Sequence, residues 1–258
     1  MTDLNALFQL EGKKALITGA SSGLGEHFAQ VMAQHGVHVV LAARNVFKLH
    51  QLVEHIRSNG GRAHAISLDI TSSASVLECF DQIDQLVGTV DVLVNNAGLS
   101  NTKPAVQQTE DEWDAILQTN LKGTWLMATE AARRMIAANR PGSIVNIASI
   151  LGQRVSGHVA PYSISKAGVL QATKALALEL ARYGIRVNAL MPGYVATNLN
   201  QDFLNSDAGE KLRARIPSKR FGAAGDLDGP LLLLASEAGR HITGACLAVD
   251  GGHLVSAL

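Results

Sequence analysis

Cysteine is nearly missing: Cys79 and Cys246 are the two in 258 residues, far apart and in no metal-ligand spacing. Neither a disulfide framework nor a metal site is expected, and a reducing compartment, the cytoplasm, fits. Excess charge of either sign is missing too. With 22 basic and 22 acidic side chains, the usual electrostatic reason to expect a nucleic acid or an anionic membrane partner is gone. No stretch approaches the roughly 18 uninterrupted apolar residues of a membrane span. The first residues include Asp3 and Glu11 and lack the basic start and apolar run of a secretion signal.

What is present is a regular alternation. Nearly half the residues, 47%, are apolar, enough for a large core. Short apolar runs at Lys14–Thr18, His38–Ala43, Ala63–Leu68, Val90–Val94, Ser143–Ile147, Arg186–Leu190 and Cys246–Val249 read as strands. Between them, Leu24–His35, Phe47–Ser58, Ala74–Leu86, Trp113–Ala138 and Tyr162–Tyr183 have helical periodicity. This is the pattern of βαβ units feeding a parallel sheet. No repeat or Pro/Gly linker divides it, so residues 1–258 are read as one domain. Polar residues interrupt the alternation from Asn198 to Ser218, after Pro192-Gly193; a ligand loop is expected there, at about 198–217.

The first strand runs into Thr18-Gly19-Ala20-Ser21-Ser22-Gly23-Leu24-Gly25 and then a helix. Such glycines permit a tight turn and close approach to a pyrophosphate, whose charge suits the unpaired N–H groups of a helix start; a purely structural loop is the competing reading. A carboxylate that would bind the adenosine ribose of NAD is expected near the end of the second strand. Ala43 and Arg44 stand there instead, and a guanidinium can pair with a 2′-phosphate. NADP(H) is therefore preferred, with NAD(H) second; alternatively Arg44 is a solvated loop residue. Asp69, followed by Ile70, is placed to contact adenine or to cap the helix beginning near Ser72. Asn95-Asn96-Ala97-Gly98 leaves room for a cofactor across the sheet edge, or is a simple turn.

Tyr162 and Lys166 are four apart in a helical stretch and share a face. An ammonium beside a phenol is expected to lower its pKa and make it a usable proton donor near neutrality. Ser149, thirteen positions earlier at the end of the fifth strand, can donate to a carbonyl oxygen as charge develops. Asn120 sits within the helical stretch, where an amide points to a local backbone bond or to a held water.

These residues in this order make the chain resemble single-domain short-chain dehydrogenases/reductases, in the style of 3-oxoacyl-carrier-protein reductases and related ketone reductases. The resemblance runs from about Leu10 to Gly252. It rests on the glycine run, Asp69, residues 95–98, Asn120, Ser149, Tyr162 with Lys166, Pro192-Gly193 with Thr197, and Asp250-Gly251-Gly252. It implies a doubly wound, Rossmann-like sheet of seven parallel strands with helices on both faces. It implies Tyr162 as general acid in reduction and general base in oxidation. Lys166 would hold the nicotinamide ribose, Ser149 would orient the carbonyl, and Asn120 would retain a water. Pro192, Gly193 and Thr197 would close over the nicotinamide, with Val195 touching its carboxamide. It also implies a homotetramer through the two long helices and the last strand. Ile116, Leu117, Trp125, Leu126, Leu170 and Leu178 are apolar beyond one buried face.

Substrate choice is assigned to Ile150–His158, Met191, Tyr194 and the 198–217 loop. Leu151, Val155, Gly157, Leu199, Phe203 and Leu204 point to a hydrophobic carbonyl compound, with Gln153, Arg154 and His158 as polar contacts. Two other functions compete: an NAD-dependent alcohol oxidation, and a dinucleotide-binding scaffold without turnover, which would have little reason to keep all four catalytic residues.

Overall fold

In the computed structural model, which describes residues 4–197 and 201–256, every expected strand forms within two residues of its expected bounds. They are β1 (Lys14–Thr18), β2 (His38–Ala43), β3 (Arg62–Ser67), β4 (Val92–Asn95), β5 (Gly142–Ile147), β6 (Ile185–Pro192) and β7 (Cys246–Val249). All pair in parallel, in the order β3-β2-β1-β4-β5-β6-β7. The chain winds outward from β1 in one direction and from β4 in the other. Crossovers therefore leave a crevice at the C-terminal ends of β1 and β4.

Helices cover both faces: α1 (Leu4–Leu7), α2 (Gly23–Gln34), α3 (Val46–Ser58), α4 (Ser73–Leu86), α5 (Glu110–Leu117), α6 (Thr124–Ala137), α7 (Ala160–Leu180), α8 (Gln201–Leu204), α9 (Asp207–Arg215) and α10 (Asp228–Ala235). Successive strand residues point to opposite faces, so a strand covered on both sides is apolar throughout. Ile17 and Leu41 pack with Phe28, Leu49 and Leu231 from α2, α3 and α10. Their neighbours Leu16 and Val40 pack with Phe80, Met127 and Leu176 from α4, α6 and α7. The sheet is thus sandwiched between two cores, the doubly wound α/β arrangement that the alternation implies.

Three stretches differ from expectation. The helix read as Trp113–Ala138 starts earlier, at a capping box in which Thr109 and Glu112 bond each other's backbone N–H. It is also interrupted by a π-type turn at Gln118–Gly123. The stretch read as a loop at 198–217 contains α8 and α9, the latter capped by the Ser206 hydroxyl, which accepts from Gly209 N at 3.3 Å. Its first residues, among them Asn198 and Leu199, lie outside the described residues. α10 has no sequence counterpart: its Leu231–Leu234 run is apolar on all sides and shows no helical stripe. Among the described residues no helix is long and apolar enough to cross a membrane.

Candidate active site

The crevice is built from the β1 turn outward. Thr18 Oγ1 accepts from Asn96 N at 3.0 Å and Ala97 N at 3.1 Å, while Asn96 Nδ2 donates to Thr18 O at 3.0 Å and Gly19 O at 3.3 Å. The ends of β1 and β4 are thereby stitched together. Gly19 has φ +64°, and a Cβ there would lie 2.8 Å from Ala97 Cα, so only glycine fits. A Cβ on Gly25 would lie 2.3 Å from Gly19 O. Gly25 therefore acts by letting α2 pack against the turn and does not face the crevice. The Ser22 side chain, at the N-cap of α2, makes no capping bond. A Cβ on Gly23, the first residue of α2, would meet nothing within 4 Å, so the start of this helix is open and suits a phosphate.

A cleft of about 1210 Å³ runs across these strand ends. It is lined by Gly19, Ser21, Ser22, Gly23, Leu24, Arg44, Asp69, Ile70, Asn96, Ala97 and Gly98 on the dinucleotide side, and by Ser149, Tyr162, Lys166, Pro192, Gly193, Val195 and Thr197 further on. Of the expected site residues, Gly25 and Asn120 lie behind its wall. Asp69 Oδ1 accepts from Thr71 N at 3.0 Å and Thr71 Oγ1 at 2.7 Å. Those two bonds hold its carboxyl below the usual range, with the Arg44 charge a smaller contribution. Asp69 does not cap the next helix; Ser72 does, accepting from Ser75 N at 3.3 Å. Arg44 is exposed at the end of β2. A cradle of this shape, phosphate-ready at α2 and cationic at Arg44, fits a dinucleotide.

At the far end, Ser149 caps a 3₁₀ turn (Ile150–Gly152), its Oγ accepting from Leu151 N at 3.1 Å. Its hydroxyl also bonds the Tyr162 phenol across the cleft wall. Pro161 in the first turn of α7 starts that helix at the rim, which places Tyr162 and Lys166 in the cleft wall. Lys166 is buried, its Nζ 5.6 Å from the Tyr162 ring centre and donating to Ile147 O at 2.7 Å. Burial lowers the ammonium to about 8. Burial also pushes the Tyr162 phenol above its usual value, against a smaller opposing pull from the Ser149 hydroxyl. This is opposite to the direction expected from the spacing: burial of the phenol is the largest cause, and Lys166 turns its Nζ toward a backbone carbonyl.

Asn120 lies in the π-type turn, wholly buried. Its Oδ1 accepts from Leu99 N at 2.7 Å, and Nδ2 donates to Leu99 O at 2.8 Å and Ser165 Oγ at 3.0 Å. Both amide hydrogens are therefore spent inside the protein. The backbone these bonds reach is not local, as expected for an amide in a helix, but that of Leu99, 21 residues earlier in the chain. Ser165, not anticipated from sequence, donates to Tyr162 O at 2.7 Å and links Asn120 to the tyrosine's helix. Thr18 and Leu99 are likewise new. The signal for Ser165 was its place in the Tyr162–Lys166 turn.

The substrate-side expectations divide. Tyr194, Leu151, Gly157 and Phe203 line the cleft. Met191 and Leu204 are buried in packing, and Val155 is 88% exposed, outside the lining. Gln153 is exposed, and His158 contributes its carbonyl to Lys103 N at 2.7 Å. Arg154 is not aimed at a ligand. It donates to His253 O and, at 2.8 Å, to Ser256 Oγ, tying down the C-terminal turn. Lining groups outside the expected set include the polar Ser100, Asn101, Thr102 and Thr119 and the apolar Leu99, Ile147 and Ala148, while Ser156 falls within the expected 150–158 stretch.

A family model described as Enoyl-(Acyl carrier protein) reductase matches residues 19–253. The chain is a member of the short-chain dehydrogenase/reductase family. It is 36% identical over 248 residues to a 2-dehydro-3-deoxy-D-gluconate 5-dehydrogenase of Escherichia coli (strain K12), covering 96% of this chain and 97% of that one. It is 36% identical over 247 residues to a 3-oxoacyl-(acyl-carrier-protein) reductase of Thermotoga maritima, covering 96% and 100%. Among solved structures, the gluconate 5-dehydrogenase of Burkholderia cenocepacia J2315 in complex with NADP and tartrate superposes with a TM-score of 0.94 at 35% identity, over 98% of this chain and 99% of that one. As a short-chain dehydrogenase/reductase, the protein is a nicotinamide dinucleotide-dependent oxidoreductase acting on alcohol and carbonyl groups.

Proposed function

We propose that this enzyme interconverts a ketone and a secondary alcohol with NADP(H), with Tyr162 as the acid and base. The observation that carries the reading is the meeting of Ser149, Tyr162 and Lys166 in one cleft wall, opposite the glycine turn. When bound, the dihydronicotinamide supplies the hydride. Glycines 19 and 23, Asp69, Ile70 and residues 96–98 would hold the dinucleotide, and Pro192, Gly193, Val195 and Thr197 would border its nicotinamide end. The Ser149 hydroxyl donates to the substrate oxygen as negative charge grows there. Tyr162 then gives its phenolic proton to that oxygen. Burial, which raises the phenol, keeps it protonated at neutral pH, the state reduction needs; oxidation, which needs the phenolate, gains as pH rises.

Lys166 holds a charge near the phenol and a place beside the nicotinamide ribose. Asn120 acts by bracing Leu99 and Ser165, and so positions the residues on either side of the reacting carbon. Arg44, an exposed cation at the expected adenosine end, supports NADP(H) over NAD(H). The segment at about 198–217, with Phe203 in the lining, belongs to the substrate side of the single domain. A homotetramer is supported by Trp125 and Leu178, 44% and 83% exposed on α6 and α7; Ile116 and Leu170 are core residues and contribute nothing to it.

The test is a panel of ketones, 3-oxoacyl thioesters and secondary alcohols followed by nicotinamide absorbance with both cofactors. Turnover with NADPH is expected. Tight NADPH binding without turnover across the panel would contradict the reading and favour a scaffold.

A further inference from the structure

The cleft's substrate end discriminates by charge. Its walls come from residues 99–102 after β4 and 149–157 after β5, with Tyr194 and Phe203 completing them. Ser100, Thr102 and Ser156 line it with hydroxyls that bond no other group among the described residues. Asn101 shares two 3.1 Å bonds with Gln108, which leave one amide hydrogen and one lone pair unspent. This surface can satisfy several hydroxyl groups.

The lysines and arginines of the lining, by contrast, are committed elsewhere. Arg44 and Lys166 are the lysines and arginines in the lining; Arg44 stands at the dinucleotide end, and Lys166 Nζ is held on Ile147 O at 2.7 Å. Lys103, next to Thr102, is gripped by both Glu112 oxygens at 2.8 Å, and Glu112 Oε2 also accepts from Thr109 N in the cap of α5. Arg154, which follows Ser149 closely in the chain, is spent on the C-terminal turn. Residues 198–200, outside the described residues, are Asn, Leu and Asn and carry no charge. A carboxylate or phosphate brought to this end would find no uncommitted lysine or arginine among its lining residues, whereas a hydroxyl would find several partners, an arrangement that favours the neutral group.

We infer that the substrate is uncharged and hydroxyl-rich away from its reacting carbon: a neutral polyol and the matching ketose, not a sugar acid or a sugar phosphate. The inference rests on the oxidoreductase reading above and names the substrate class of that site. In the reaction the polyol's carbinol C–H leaves as hydride to the oxidised dinucleotide, and its O–H proton passes to the Tyr162 phenolate.

The experiment uses pairs that differ in the carboxylate: sorbitol against gluconate for oxidation, and L-sorbose against 5-ketogluconate for reduction, each with both cofactors. The neutral member should show kcat/KM at least tenfold higher. The variant Ser156→Arg, which places a cation in the wall, should shift that ratio toward the acid at least tenfold. A wild-type preference for the acid, or a ratio unmoved by Ser156→Arg, overturns the inference. Turnover confined to apolar ketones overturns it while leaving hydride transfer intact. No turnover of any carbonyl or alcohol with either cofactor refutes the oxidoreductase reading itself.

Discussion

Replacing Asn120 with alanine removes three hydrogen bonds at once: two to the Leu99 backbone, at 2.7 and 2.8 Å, and one to Ser165 Oγ at 3.0 Å. At about 1 kcal/mol net for each bond, the variant should lose about 3 kcal/mol of stability. Leu99 is only partly buried, so water can recover part of the loss, and a range of about 2–4 kcal/mol is expected. Urea unfolding measures this directly, as a lowered midpoint with an unchanged slope. Activity should fall as well. The same amide sets the backbone at the start of the 99–102 wall, and through Ser165 it steadies the first turn of α7 at Tyr162. A drop in kcat/KM of at least about tenfold, with dinucleotide affinity within about threefold of wild type, fits a positioning role. Asn120→Asp should do no better than alanine, because a carboxylate oxygen would face the Leu99 carbonyl. A loss below about 0.5 kcal/mol together with unchanged kcat/KM would refute the reasoning.

Three further outcomes follow from other parts of the structure. Gly25→Ala places a methyl 2.3 Å from the Gly19 carbonyl, so stability should drop by about 1–3 kcal/mol and dinucleotide affinity by about tenfold or more as the turn is displaced; wild-type affinity by fluorescence titration would contradict this. Arg44→Ala should weaken NADPH by about tenfold, the order of one charge-assisted bond, and leave NADH unchanged; equal losses for both cofactors would count against it. His38 and His64, on neighbouring strands with ring centres 5.0 Å apart, are both held below their usual pKa, first by burial, with Arg57 adding to the effect on each. Since the unfolded chain then binds more protons, stability should be greatest above about pH 6.5 and fall as pH drops below that value. His38→Gln should flatten the fall, and a thermal midpoint that rises on acidification would contradict it.

The strands were readable because each is buried on both faces and appears as an unbroken apolar run, as in the five residues of β1. The gathering of the candidate residues in one cleft was readable because they lie at strand ends and in one turn of a long helix. What escaped was set by tertiary contact. Gly25 reads as a phosphate-binding glycine, yet its place is fixed by how closely α2 packs on Gly19. Arg154 reads as a ligand contact because its neighbours line the cleft, but the C-terminal turn, a hundred residues later, claims it. The π-type turn at Gln118–Gly123 adds a residue without breaking the apolar pattern, so periodicity passes over it. The direction of the Tyr162 shift could not be read from a four-residue spacing. It depends on how much water reaches the ring and on where Lys166 aims its Nζ.

The most direct test of Tyr162 as the proton donor is the single variant Tyr162→Phe, assayed for ketone reduction and dinucleotide affinity in the same preparation. The kcat should fall at least about a hundredfold, the order expected for a lost general acid, with NADPH still bound within about threefold of wild type. Turnover near the wild-type rate, with the dinucleotide bound, would contradict it.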